Sequence, residues 1–233
     1  MEIRPTLNEK GITLIELLVA LVIAAITLAG VYKVFISQTR TYAIQDQVVE
    51  VQQNVRSAME ILLRDLRMTG FDDDHPSSTV TVATPIVTPV QTDSITVSYE
   101  YCNRTTWPPT YELHQVAYAV NGSSQLTRQL TNGGVANTEV LLENVNGLTF
   151  TYGVDRNDDG VMDDLSGDGI INAADYVTAT VKNTTYPTTT VVAVRVILTG
   201  RPDQTNQDVQ RMVTPRTLDS AVTLRNLCLY RKE

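Results

Sequence analysis

Two histidines, two cysteines and no Gly-x-Ser-x-Gly elbow leave little material for catalysis in a chain of 233 residues. His75 and His114 are isolated in the sequence, and no nucleophile lies in a motif that supplies its own base. There is no glycine-rich nucleotide fingerprint and no internal fold repeat. Basic residues are also short: 18 Lys and Arg against 26 Asp and Glu give a net charge of -8. Phosphate binding needs a basic face, so this balance argues against nucleic acid as the main partner. The nearest basic cluster is the tail, with Arg225, Arg231 and Lys232. Proline is missing between Ile12 and Met68, so nothing there forces a helix to break, and Gly30 is the one helix-weakening residue. These absences point to a protein that is not an enzyme and whose N-terminal part is one long segment.

What is present begins with a polar leader carrying Arg4 and Lys10 and ending at Gly11. An almost unbroken apolar run from Ile12 to Phe35 follows, with a single carboxylate, Glu16, at its fifth position. Ile12 to Tyr32 is 21 residues, about 30 Å as a helix, which matches a hydrocarbon core. A charge in such a segment costs roughly 2.5–3.5 kcal/mol on insertion scales, so Glu16 is expected to have a partner or a task. Arg4 and Lys10 keep the N-terminus cytoplasmic by the positive-inside rule. Lys33 and Arg40 weaken that asymmetry, although Lys33 can snorkel to the outer interface. A secretory signal would place small residues after the apolar block, and Ala24-Ala25 and Ala29-Gly30 imitate such a site. Secretory signals, however, do not put Glu inside the apolar core or Gly directly before it.

The run Lys10-Gly-Ile-Thr-Leu-Ile-Glu-Leu-Leu18 resembles the class III signal of type IV prepilins and type II secretion pseudopilins. The resemblance implies cleavage by a prepilin peptidase between Gly11 and Ile12, then N-methylation of Ile12. It also implies that Glu16 pairs with the N-terminal amine of a neighbouring subunit during assembly. Loss of residues 1–11 removes Glu2, Arg4, Glu9 and Lys10, whose charges cancel, so the mature chain keeps its formal charge of -8.

Helical periodicity continues past the apolar run. Ile44, Val48, Val51, Val55, Met59, Leu62 and Leu66 recur at steps of three and four, with polar and charged residues between them. Glu60 and Arg64 are spaced as a favourable i,i+4 pair. Gly70 follows Arg67-Met68-Thr69 where a left-handed C-cap belongs. The stripe spans only about three heptads, short for an independent coiled coil, so docking on the chain's own sheet is the expected use. The predicted helix runs from 12 to 69, its first part (12–35) in the membrane or filament core and its second amphipathic.

From residue 70 to 233 the sequence reads as a β-domain. Asp72-Asp73-Asp74 is a solvated turn, and residues 77–92 form a loop or irregular edge. Strands are predicted over 94–101, 111–120, 125–130, 140–142, 148–154, 191–198 and 221–230. Asn121-Gly122 and Asn146-Gly147 are read as turns, and residues 203–217 as a loop. Strands segregated from one helix indicate an α+β fold with an antiparallel sheet. Four segments, Arg64–Phe71, Leu141–Phe150, Val194–Leu198 and Thr223–Asn226, resemble the PilW class of minor pilins, with the J-type minor pseudopilins next. The resemblance implies a pilin-like fold, an inner-membrane stage before assembly, other major and minor pilins as partners, and a final place in a pilus at the cell surface. A minor pseudopilin of type II secretion, and a tip adhesin or ligand-binding pilin, are the alternatives.

Residues 155–175 carry seven Asp, no Glu and one positive charge, Arg156. Asp164, Ser166, Asp168, Asn172 and Asp175 occupy positions 1, 3, 5, 9 and 12 of an EF-hand spacing, with Ile170 offering its carbonyl at position 7 and Gly169 permitting the turn. The pattern resembles dockerin-type calcium loops, in which Asp closes the loop. An overlapping array of Asp155, Asn157, Asp159, Val161 and Asp163 repeats the first half, but its position 12 is Ser166, a poor closer. Calcium is therefore the expected cofactor. No Cys or His is near, which argues against zinc. The alternative is a solvated acidic insertion, self-repulsive without a cation. The anchor orientation places Cys102 and Cys228 outside the cytoplasm, where a disulfide can persist; a bridge and two buried thiols are both open.

Overall fold

The computed structural model describes residues 11–73, 75–105, 107–202 and 213–229, without the side chains of Cys228 and Leu229. Most of the leader, part of the expected 203–217 loop and the basic tail residues Arg231 and Lys232 lie outside the described residues. The chain forms two compact units, Met1–Asp46 and Gln47–Glu233. One helix, α1 (Leu14–Met68), contributes to both. It ends where the sequence places the stop: Gly70 adopts φ +74°, a left-handed conformation that costs glycine little.

In the second unit the helical stripe is the core-facing side. Val51, Val55, Met59, Leu62 and Leu66 are buried, and Ala58 and Leu63 widen the stripe. The anticipated Glu60–Arg64 pair does not form. Glu60 Oε1 instead meets Arg56 Nε at 3.1 Å, and Arg64 Nε lies 3.5 Å from Asp65.

Among the described residues the β-domain has eight strands in two four-stranded antiparallel sheets, and their inner faces share one hydrophobic core with the stripe. The first sheet is a meander of β1 (Ser94–Asn103), β2 (Thr110–Val120), β3 (Leu126–Asn132) and β4 (Val135–Leu142). Alternation sets its inner face: Ile95 opposite Tyr118, Val97 opposite Val116, and Tyr99 opposite His114. The β2–β3 link is organised by Asn121, whose side-chain oxygen accepts the Ser123 and Gln125 N–H groups at 2.9 and 3.0 Å. The β3–β4 hairpin turns at Gly133-Gly134, both at positive φ, as a two-residue turn favours. This makes the first part of β4 a strand that the sequence reading left out.

The second sheet has the order β6-β5-β7-β8, from β5 (Val145–Asp155), β6 (Val177–Thr178), β7 (Thr190–Gly200) and β8 (Arg216–Thr223). As a nearly continuous Val/Ile run predicts, β7 is central and mostly buried. Gly200 lets its end approach the helix: a Cβ there would lie 2.5 Å from Val55 Cγ2.

Two strand assignments need correction. Asn146-Gly147 is not a turn but part of β5, at a register shift opposite the end of β7. The chain passes between the sheets one step earlier, at Asn144 with φ +55°. The strand expected over 221–230 ends at Thr223 as the close of β8, which begins at Arg216 inside the expected loop, and residues 225–229 form a short helix; Tyr230 lies outside the described residues. A six-residue helix α2 (Ala179–Thr184) precedes β7, and α3 (Arg225–Leu229) follows β8. Leu224 is fully buried and its N–H bonds Val192 O at 2.8 Å, which turns the chain off the sheet. Asn226 Nδ2 then donates to the carbonyls of Arg67 and Thr69 at 3.2 and 3.1 Å, satisfying groups that the end of α1 would otherwise leave open.

Candidate functional site

At the N-terminal end, Gly11 and Ile12 precede the helix and are exposed, Ile12 by 76%. Thr13 and Glu16 form a reciprocal cap. Thr13 Oγ1 accepts the Glu16 N–H at 3.3 Å, and Glu16 Oε2 accepts the Thr13 N–H at 3.0 Å. This is the S/T-x-x-E capping box, and it turns the carboxylate back toward the start of the helix. The following segment is long and apolar enough to cross a membrane, and none of its most apolar window is buried. Its large side chains from Leu14 to Ile36 are all exposed.

The acidic stretch links β5 to β6. In its second half, Asp164 accepts the N–H groups of Gly167 and Gly169, both at 2.6 Å, and the Ser166 hydroxyl at 3.0 Å. Asp168 accepts the Ile170 N–H at 2.9 Å and the Asn172 amide at 2.8 Å. Asn172 Oδ1 accepts the Ala174 N–H at 2.7 Å and caps a 3-10 turn, Ala173–Asp175. Asp175, fully buried, closes the loop by accepting N–H groups from Asn172, Ser166 and Leu165 at 2.7, 2.8 and 3.0 Å. The Asn172 N–H, then that of Ser166, hold its carboxyl below the usual value. Gly167 and Gly169 adopt φ +74° and +81°, as the tight winding requires. One hydrogen-bonded loop thus contains Asp164, Ser166, Asp168, Ile170, Asn172 and Asp175.

The first half is built differently. Asp155, at the end of β5, is 2% exposed; its Oδ2 accepts the Gly160 N–H at 2.8 Å, while Oδ1 is buried without a hydrogen-bond partner. Asn157 and Asp159 bond each other, Val161 N–H donates to Asp159, and Asp163 is engaged by Arg156 at 3.1 Å. Among the described residues, no three His, Cys, Asp or Glu side chains converge on one point. The donors in both halves are oxygens, the chemistry a hard cation takes, and most are already oriented by loop N–H groups.

Cys102 is a free thiol of intermediate exposure; the Cys228 side chain lies outside the described residues. Each histidine is taken into an aromatic stack: His75 on Tyr111 at 5.3 Å and His114 on Tyr101 at 4.5 Å. His114 is 8% exposed and burial pushes its pKa below the ordinary value.

A buried ionic group was missed by the sequence reading. Asp65, 2% exposed, accepts the Tyr118 hydroxyl and Arg128 Nε, each at 2.7 Å. Burial raises the Tyr118 phenol's pKa, reinforced by the Asp65 hydrogen bond. The available signal was position: Asp65 follows Leu62 by three residues and so shares the apolar face of the helix.

The apolar helix headed by Gly11, Ile12 and Glu16, followed by an antiparallel β-domain, defines the class of type IV prepilin-like proteins. Residues 6–32 match the prokaryotic N-terminal methylation motif. Residues 112–229, just over half of the chain, match the Type IV Pilus-assembly protein W family, and the chain belongs to that PilW family. No curated protein and no solved structure matches the chain.

Proposed function

We propose that this chain is a minor pilin that primes or joins a type IV pilus through residues 12–35. Cleavage by a prepilin peptidase between Gly11 and Ile12 frees the Ile12 amine. Glu16 then neutralises that amine on a neighbouring pilin. Before assembly the same segment holds the chain in the bacterial inner membrane, N-terminus cytoplasmic; afterwards the β-domain is carried at the pilus surface. One observation carries this reading: a run of bilayer length, exposed from Ile12 to Ile36, in a chain whose other apolar face is already docked. In water that surface is strongly unfavourable, and lipid and then sister helices are the two environments that cover it. The capping box supports the role of Glu16, because it aims the carboxylate at the helix start, where an amine would arrive.

The test separates insertion from assembly. Glu16→Ala leaves the chain in the membrane fraction and lowers its recovery in sheared filaments. Equal recovery of variant and wild type in the filaments would refute the role of Glu16, and retention of residues 1–11 in the native protein would refute the processing step.

We also propose that calcium binds the loop of Asp164, Ser166, Asp168, Ile170, Asn172 and Asp175, with Asp155, Asn157, Asp159, Val161 and Asp163 as a second array. Support comes from the all-oxygen donor set and from the buried, unpartnered Asp155 Oδ1. A cation at hundredfold its dissociation constant stabilises the folded chain by about 2.7 kcal/mol. Calcium is therefore expected to raise the melting temperature of the detergent-solubilised chain, and Asp168→Ala to reduce the rise. The same rise in the variant would remove Asp168 from the ligand set; no rise in wild type would remove the metal.

A further inference from the structure

Within the second unit, a cavity of about 460 Å³ opens between the Gly70 turn, residues 81–88, α2, the start of β7 and α3. This is an ordinary volume for a small-ligand site. Its wall includes Lys182, which is 2% exposed. Lys182 Nζ donates to the carbonyls of Tyr186 and Pro187 at 2.7 and 3.3 Å, capping the turn after α2. Two of its three N–H groups are thereby used, and among the described residues no carboxylate pairs with it. A buried ammonium held by neutral carbonyls alone is an uncompensated charge. Burial accordingly pushes the Lys182 pKa down from its ordinary value.

The rest of the wall says what would compensate it. Pro85, Ile86 and Leu227 supply an apolar side, and Thr190 is also in the lining. Asp72 lies in the same lining, and its negative charge works against a multiply charged anion. We propose that this cavity binds a small organic monocarboxylate, its carboxylate on Lys182 and its short apolar body against Pro85, Ile86 and Leu227. A single negative charge satisfies the remaining Lys182 N–H, and the hydrocarbon replaces solvent along the apolar wall. The site is independent of the assembly segment and of the acidic loop.

The test is calorimetric titration of the full chain in detergent micelles with sodium butyrate, its neutral isostere butyramide, and sulfate. Butyrate is expected to bind saturably at one site and at least tenfold more tightly than butyramide, and sulfate not to displace it. Lys182→Met is expected to abolish butyrate binding. Equal affinity for butyrate and butyramide would overturn the proposal, as would displacement by sulfate or unchanged binding in Lys182→Met. So would the absence of saturable binding up to about 50 mM, weaker than the millimolar range of a specific small-ligand site. Lys182 also holds the turn after α2, so the amide comparison on the unmodified chain decides the matter if the variant does not fold.

Discussion

Replacing Asp65 by Asn tests how the amphipathic part of α1 is held. The carboxylate accepts two hydrogen bonds, from the Tyr118 hydroxyl and from Arg128 Nε, each at 2.7 Å. An Asn amide is nearly isosteric, but only its oxygen accepts. Both bonds land on the same oxygen, Oδ2, so an amide oxygen in that place accepts both, now without a charge, while the NH₂ takes the Oδ1 place, 3.5 Å from Arg64 Nε. The buried Arg128 charge then faces one carboxylate, Glu139, at 3.0 Å, whose side chain is 53% exposed, a pair that water screens. Breaking a buried pair by removing one partner costs about 3–5 kcal/mol. For a chain of this length each kcal/mol moves the melting temperature by roughly 2–4 °C, so the expected loss is roughly 6–20 °C. Thermal unfolding of the detergent-solubilised chain, followed by near-ultraviolet circular dichroism, reads it. A double-mutant cycle with Arg128→Met separates the pair from general disruption. The triple change Asp65→Leu, Tyr118→Phe, Arg128→Met should recover most of the loss, because no buried polar group is left alone. A fall of under about 2 °C for Asp65→Asn, or additivity in the cycle within about 0.5 kcal/mol, would refute the account.

Three further outcomes follow from the packing. His114 has its pKa lowered by burial, so the unfolded chain binds the proton more readily; its contribution to stability is full above the unfolded value of about 6.5 and is lost as pH falls from there through the lower folded-state value. His114→Phe, which keeps an aromatic ring against Tyr101, should flatten the stability profile between about pH 7 and 5, measured by denaturant unfolding at each pH. A Cβ at Gly200 would meet Val55 Cγ2 at 2.5 Å, so Gly200→Ala should cost about 1–3 kcal/mol by overpacking. Adding Val55→Ala should recover part of that loss in the same unfolding assay. Asn226→Ala removes the donor shared by the carbonyls at the end of α1, and hydrogen exchange of the α1 C-terminal turn should speed up while that of β7 stays unchanged.

The elements that the sequence revealed are those in which one local rule acts alone. The apolar run, the three-four stripe and Gly70 defined α1 to within two residues at each end. Strict alternation located β1 and β2, and the Val/Ile run located β7. The acidic loop was legible because its Asp spacing and its glycines are both local. The misreadings occurred where tertiary partners decide. Asn146-Gly147 has turn chemistry, yet pairing with β7 keeps it in a strand. Residues 225–229 alternate weakly enough to read as strand, yet they are helical after Leu224, buried and bonded to Val192, turns the chain off the sheet. Glu60 had cationic neighbours four residues away on both sides, and the sequence does not rank them; the structure selects Arg56. Lys182 carried no motif at all, and the cavity it lines is assembled from segments distant in sequence, Gly70 to Thr88 and Asn226-Leu227.

The amide of Asn226 has a temporal consequence. It lies 157 residues beyond Thr69, whose carbonyl it binds, yet it closes the end of α1. That helix therefore waits, unfinished at one terminus, until translation has passed β8. A ribosome that stalls between Thr223 and Asn226 would release a product with β1 to β8 present and α1 fraying, a ready substrate for quality-control proteases.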